Sequence, residues 1–395
     1  MTTPAPRPAP LVSLASRLPA FPWDSLAAAK QRASEHPGGI IDLSVGTPVD
    51  PTPRSVQAAL AAATDRPGYP TTQGPDALQL EIVRFAQRRR GAGADLTVDA
   101  VLPTIGSKEL VAHLPFELGI SPGDVVVHPA IAYPTYDMGA RLVGARALPI
   151  DMVDLAERGD DAIADARAAS AVSSSAPVRL LWLNSPSNPT GEVLSAEQMT
   201  AIVRWARARG IIVASDECYA LLPWTVDDVP SILDPRVNGG DLAGLLCVYS
   251  LSKQSNLAGY RTAFVAGDPQ LVGQLLAVRK QAGMMLPASI QDAMTVALGD
   301  DGAADAQRER YRARRERLVP ALVAAGGRIE LSDAGLYLWT TFDEPCERTV
   351  ERLAQLGILV APGMFYGEGA GTFVRVALTA TDERIAAACE RLPAL

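Results

Sequence analysis

The sequence predicts an α/β protein: a large domain on a mostly parallel sheet, followed by a smaller α+β domain. Three observations carry this. Short apolar strands alternate with helical stretches through residues 43–284, as in folds with helices on both faces of a sheet. The strand candidates are continuous apolar runs rather than alternating ones, the pattern of strands buried on both faces. After Pro287 the texture changes to one long Arg- and Glu-rich helix and three further strands.

Taken in order, Pro-rich residues 1–10 read as a flexible tail. Residues 11–42 read as a partly helical arm returning to another part of the fold. In the large domain, 43–284, the clear strands are 125–128, 180–183, 211–214, 245–249 and 262–266. Helix 195–209 opens on a capping box of Ser195 and Gln198 and ends before Gly210. The small domain, 285–395, carries a helix over 303–325 and strands over 336–342, 358–361 and 373–378.

Composition narrows the function. The 395 residues carry a formal charge of −8, which disfavours nucleic acid or an anionic membrane as the main partner. The N-terminus lacks a secretory pattern, and no apolar run approaches the ~20 residues of a membrane span. Cys218, Cys247, Cys346 and Cys389 are far apart, as expected of reduced thiols in a cytoplasmic protein. His36, His113 and His128 form no ligand pair, so no metal is expected. Lysines are few (Lys30, Lys108, Lys253 and Lys280), so a catalytic lysine has four candidates.

Lys253 stands out. The run from Ser250 to Arg261 directly follows strand 245–249, at the end where open α/β sheets place ligands. Partial burial and the charge of Arg261 both favour a neutral amine able to form a Schiff base. Ser250 and Arg261 suit a phosphate, one as a hydroxyl donor and one as a forked cation. A solvated loop lysine is the plainer reading of Ser-Leu-Ser-Lys; Gly259 and Arg261 at this spacing argue against it.

Strand 211–214 runs into Asp216, which can pair with a protonated pyridine nitrogen, and Tyr219, which can donate to a ring oxygen. An aspartate that caps a turn or binds a metal would look the same. Asn188 in Asn-Pro-Thr-Gly ends a third strand, either as a ligand group or as a plain turn residue. Gly106, Ser107 and Lys108 look like a turn opening a helix, whose backbone N–H groups can bind phosphate. Tyr133 could stack on a flat ring or sit in a Pro turn. Arg375 lies inside strand 373–378 and needs an anion, either a substrate carboxylate or a structural ion-pair partner. Gly367, Gly369 and Gly371 read as a loop, not a dinucleotide site.

Together these segments resemble the class I/II aminotransferases of pyridoxal-phosphate fold type I. The resemblance runs in order over residues 43–378 and is specific in combining Asn188, Asp216, Tyr219, Lys253 and Arg261. It implies a seven-stranded large domain, a small domain built from both chain ends, and a homodimer with sites at the interface. It implies pyridoxal 5'-phosphate on Lys253, with Asp216 at the ring nitrogen, Asn188 and Tyr219 at the ring oxygen, and Tyr133 stacked on the ring. The backbone of Ser107 and Lys108, with Ser250 and Arg261, would bind the phosphate. Tyr69 matches a tyrosine reaching the neighbouring subunit's phosphate, Arg375 the α-carboxylate clamp, and Gly46 the carboxylate end of the substrate.

The stretches 21–26 and 282–287, with Gln291 and Met294 following, are similar to actinobacterial N-succinyldiaminopimelate aminotransferases. That implies N-succinyl-LL-2,6-diaminopimelate and 2-oxoglutarate as the substrate pair. Arg17, Arg54 and Lys280 are candidate cations for the distal carboxylate. Rival expectations are an aminotransferase for aspartate, aromatic or other amino acids, and a carbon–sulfur β-lyase of the same cofactor class. A non-catalytic cofactor-sensing regulator is a third, disfavoured by the short segment before the arm and by the charge.

Overall fold

The computed structural model describes Leu14, Leu18, Pro19 and residues 21–395; the expected tail, 1–10, lies outside the described residues. The first strand is β1 (Ile41–Asp42). Seven strands then build the main sheet: β2 (Val101–Ile105), β3 (Val125–Pro129), β4 (Arg146–Ile150), β5 (Val178–Asn184), β6 (Ile212–Asp216), β7 (Leu245–Ser250) and β8 (Thr262–Gly267). Their order is β2-β8-β7-β6-β5-β3-β4. β8 runs antiparallel to both neighbours, and the remaining pairs are parallel.

The continuous apolar runs follow from helices covering both faces. In β5, Leu181 and Leu183 enter one apolar cluster while Leu180 and Trp182 enter another. In β7, Leu245, Cys247 and Tyr249 face the first, and Leu246 and Val248 the second. Both faces must therefore be apolar, each buried large side chain contributing about 1.5–3 kcal/mol.

Two strands of the main sheet, β2 and β4, are not among the expected ones. Each contains a proline, Pro103 or Pro149, and each lies at an edge of the sheet. A residue without an N–H is tolerated where only one neighbour needs pairing, so the proline marks an edge strand here rather than a loop. Helix Ala196–Arg207 has the expected capping box: Ser195 Oγ accepts from the Gln198 N–H at 3.2 Å, and Gln198 Oε1 from the Ser195 N–H at 2.9 Å.

The second sheet is antiparallel. It holds β9 (Arg328–Ile329), β10 (Tyr337–Thr341), β12 (Ala361–Pro362) and β13 (Phe373–Ala377) in the order β12-β13-β10-β9, while β11 (Ile358–Leu359) pairs with β1. The single strand expected over 358–361 is thus two short ones serving different sheets, because Val360 sits between two pairing directions. Ala33 of helix Ala27–Ser34 packs with Ala354 of helix Cys346–Gln355 and Leu359 of β11.

The change from one core to the other falls later than the expected 284/285 boundary. Leu286, Ala293, Met294, Ala297 and Leu298 are buried in the cluster that covers the main sheet. Helix Asp301–Ala324 carries the chain across, with Tyr311, Leu318 and Leu322 in the second core. No helix among the described residues is long and apolar enough to cross a membrane.

Candidate active site

Parallel pairing brings the carboxyl ends of three strands level: Asn184 of β5 sits opposite Asp216 of β6, and Asp216 opposite Val248 of β7. They floor a cleft of about 460 Å³. Of the residues expected from the sequence, Gly46, Ser107, Lys108, Tyr133, Asn188, Asp216, Tyr219, Ser250, Lys253, Arg261 and Arg375 all line it. Tyr69 does not; its side chain is fully exposed outside the cleft of its own chain. Arg54 and Lys280 are also outside the cleft, and Arg17 lies outside the described residues.

Lys253 follows β7 on the one-turn helix Leu251–Gln254, with Ser250 as its N-cap. Its Nζ donates to the Gly46 carbonyl. Burial is the main influence pushing the amine below the ordinary lysine range; Arg375 and Arg261 add to it, while the Tyr337 hydroxyl opposes it. The direction favours the neutral amine, the form that acts as a nucleophile and base. Arg375 outranks Arg261 as the neighbouring cation, which spacing along the chain could not reveal.

One corner could hold a phosphate-sized anion. Helix Ser107–Glu117 starts there, and its unpaired N–H groups favour negative charge. Gly106 precedes it at φ +82°, and a Cβ at this position would overlap the Arg261 guanidinium. Only glycine lets the guanidinium lie against the helix start. Ser250 Oγ completes the corner, 2.9 Å from Ser252 Oγ.

Asp216 is buried and accepts from the Tyr136 hydroxyl at 2.9 Å and from the Cys218 N–H at 3.2 Å. Burial raises its carboxyl above the usual range, opposed by the hydrogen bonds from Cys218 and Tyr136. A raised pKa in the fold means stability present at acid pH and lost as pH rises through the folded value. Asp216→Asn should therefore leave the cofactor-free protein as stable as wild type or more so at pH 8. That difference should vanish toward pH 4, and thermal melts across this range check it.

Asn188 and Arg375 meet across the two sheets: Arg375 donates to Asn188 Oδ1 at 2.9 Å and to the Ser44 carbonyl at 2.6 Å. Arg375 is 2 % exposed, its Nε has no partner, and no Asp or Glu among the described residues pairs with it. The structural ion pair that the sequence left open is absent among the described residues. A buried guanidinium without an anion is costly, and it faces the cleft.

Several residues of the site were not singled out from the sequence. Tyr136 anchors Asp216, and Asn184 Nδ2 ties the strand ends by donating to the Pro186 and Asp216 carbonyls. Tyr337 reaches in from β10; Phe21 and Trp23, noted in the sequence only for a substrate resemblance, line the cleft as well. The Lys108 Nζ lies 5.4 Å from the Phe21 ring centre and 5.9 Å from that of Tyr133. Among the described residues, Glu109, His113 and Glu117 have metal-ligand proximity, but Arg279 pairs with Glu109 and Glu117 at 2.7 Å each. A guanidinium fills that role.

A family model, aminotransferase class I and II, matches residues 38–392. The chain belongs to this family. It is 54% identical to a probable aminotransferase of Mycobacterium tuberculosis, Rv1178, over 96% of this chain and 86% of the relative. It is 51% identical to the 4-dedimethylamino-4-oxo-anhydrotetracycline transaminase OxyQ of Streptomyces rimosus, over 95% and 99% of the two chains. An LL-diaminopimelate aminotransferase of Aquifex aeolicus is 32% identical over 95% and 96%. A solved aminotransferase of Staphylococcus aureus superposes with a TM-score of 0.83 at 25% identity, covering 98% and 99%. These findings establish a fold type I aminotransferase that uses pyridoxal phosphate. The cleft of this aminotransferase fits that group: a glycine-cleared anion corner, a depressed lysine and a buried aspartate share one wall.

Proposed function

We propose that this aminotransferase moves an amino group between N-succinyl-LL-2,6-diaminopimelate and 2-oxoglutarate, giving N-succinyl-2-amino-6-oxopimelate and glutamate. The observation that carries the reading is Arg375, a buried cation without a carboxylate partner among the described residues, facing the same cleft as Lys253. A substrate α-carboxylate supplies the missing anion and brings its amino group to the lysine.

Pyridoxal phosphate supplies an aldehyde that condenses with amines and a ring that draws electrons from bonds at the substrate Cα. Lys253 would hold it through Nζ and, once displaced by the amino donor, take the proton from Cα and deliver it onward. Asp216 would keep the ring nitrogen protonated, with Tyr136 fixing the carboxylate from behind. Asn188 and Tyr219 would face the ring oxygen, and Tyr133 the ring. The N–H groups at Ser107 and Lys108, with Ser250 and Arg261, would hold the phosphate. Gly46 lines the carboxylate end, and Tyr69 of a neighbouring copy would complete the phosphate site in a homodimer.

Distal recognition falls to Lys108, whose ammonium stands at the cleft mouth between aromatic rings. Lys108→Ala should lower kcat/KM for dicarboxylic partners by about 10- to 100-fold, the cost of one charged hydrogen bond. Alanine and pyruvate should change only a few-fold in the same assays.

A second reading has its own support. The aromatic wall of Phe21, Trp23 and Tyr133 suits a bulky or polycyclic ketone, and OxyQ is named for one. A screen of oxo acids and cyclic ketones with glutamate as donor separates the two. No turnover of the succinylated oxopimelate would remove the first assignment.

A further inference from the structure

We propose that Tyr337 is a positioning residue with two separable parts: its ring aims the Arg375 guanidinium at the cleft, and its hydroxyl steadies the proton carried by Lys253. The inference rests on the reading that Lys253 binds the cofactor.

The register of the second sheet puts the ring in place. Trp339 of β10 lies opposite Arg375 of β13, and Tyr337 opposite Ala377. Tyr337 is therefore the diagonal, same-face neighbour of Arg375, within reach of a long side chain. The Arg375 guanidinium carbon lies 3.9 Å from the centre of the Tyr337 ring. A cation held over a buried aromatic face loses its freedom to swing without being neutralised. Its remaining donors, Nε among them, stay free for an anion, while its hydrogen bonds to Asn188 and Ser44 fix the remaining angle.

The hydroxyl belongs to a second contact set. It lies 3.3 Å from the Tyr219 hydroxyl. A Cβ on Gly46 would overlap the Tyr337 hydroxyl, so the backbone there packs directly against it. The carbonyl of that same glycine accepts from Lys253 Nζ. The groups acting on Lys253 are Tyr337, Arg375, Cys218 and Arg261. Burial and the two guanidiniums disfavour a proton on the amine, so the Tyr337 phenol, with the Cys218 thiol, carries the opposing influence. Burial raises the Tyr337 phenol, yet Arg375 and Lys253 bring it below its ordinary range, as expected of an oxygen facing two cations.

The holoenzyme variants Tyr337→Phe and Tyr337→Leu separate the two parts. Phenylalanine keeps the ring and removes the oxygen. Its visible cofactor band should titrate at a pH lower than wild type by about half a unit or more, with glutamate KM within about threefold. Leucine removes both, and should show the same pH shift with glutamate KM raised about tenfold or more at a smaller cost in kcat. Should leucine fail to fold, Tyr337→Met tests the ring in its place. A Tyr337→Phe enzyme that titrates with the wild type overturns the role of the hydroxyl. A ring-less variant that binds glutamate as well as Tyr337→Phe overturns the role of the ring. A wild-type enzyme with no lysine-dependent band would instead remove the Lys253 reading beneath both.

Discussion

Lys253→Ala should abolish transamination, with kcat lower by about 10⁴-fold or more, the upper end for a lost proton carrier. The visible absorbance of the lysine-bound cofactor should vanish with it. Both follow from geometry: Lys253 is the lysine at the strand ends, and its amine is the one that burial holds below the ordinary range. The other lysine on the cleft, Lys108, stands at its mouth among aromatic rings. Absorbance spectra and single-turnover assays of the purified variant check the expectation. Residual cofactor binding should persist, because the anion corner at Gly106, Ser107, Ser250 and Arg261 is untouched.

Arg375→Ala should chiefly weaken substrate carboxylate binding, by about 2–5 kcal/mol for a lost buried charge contact. At 1.4 kcal/mol per tenfold, that is about 30- to 4,000-fold in affinity. Stability should move differently. A guanidinium in a structural ion pair would leave a stranded carboxylate when removed, at a cost of about 3–5 kcal/mol. Arg375 has no such partner among the described residues, and its Nε is unsatisfied even as the protein stands. Arg375→Met, which keeps much of the volume, should thus melt no lower than wild type without substrate. Differential scanning fluorimetry beside KM measurements separates the two effects; a fall in Tm together with an unchanged KM would assign Arg375 to structure.

The sequence showed which strand ends carry polar groups, because a strand buried on both faces announces itself as an apolar run and its end as the first polar residue. Asp216 and Ser250 were legible that way, with Asn188 and Lys253 a few residues beyond such ends, and the fold class with them. Edge strands β2 and β4 were not: with one neighbour each they tolerate Pro103 and Pro149, which interrupt the apolar run. Partners across the two sheets were also hidden. Tyr337 and Arg375 lie on different strands, and only their register puts ring under guanidinium. Tyr136 lies three residues from Tyr133, but its contact with Asp216 spans 80 residues of chain. Of the candidate distal cations, Arg54 and Lys280 lie outside the cleft, and the position of the Lys108 side chain beside Phe21 and Tyr133 is set by contacts across the chain that spacing does not reveal.

The most direct test is chemical trapping. Borohydride reduction of the purified enzyme, followed by peptide mapping, should place a phosphopyridoxyl group on the peptide containing Lys253. A tag on Lys30, Lys108 or Lys280, or no tag at all, would contradict the account.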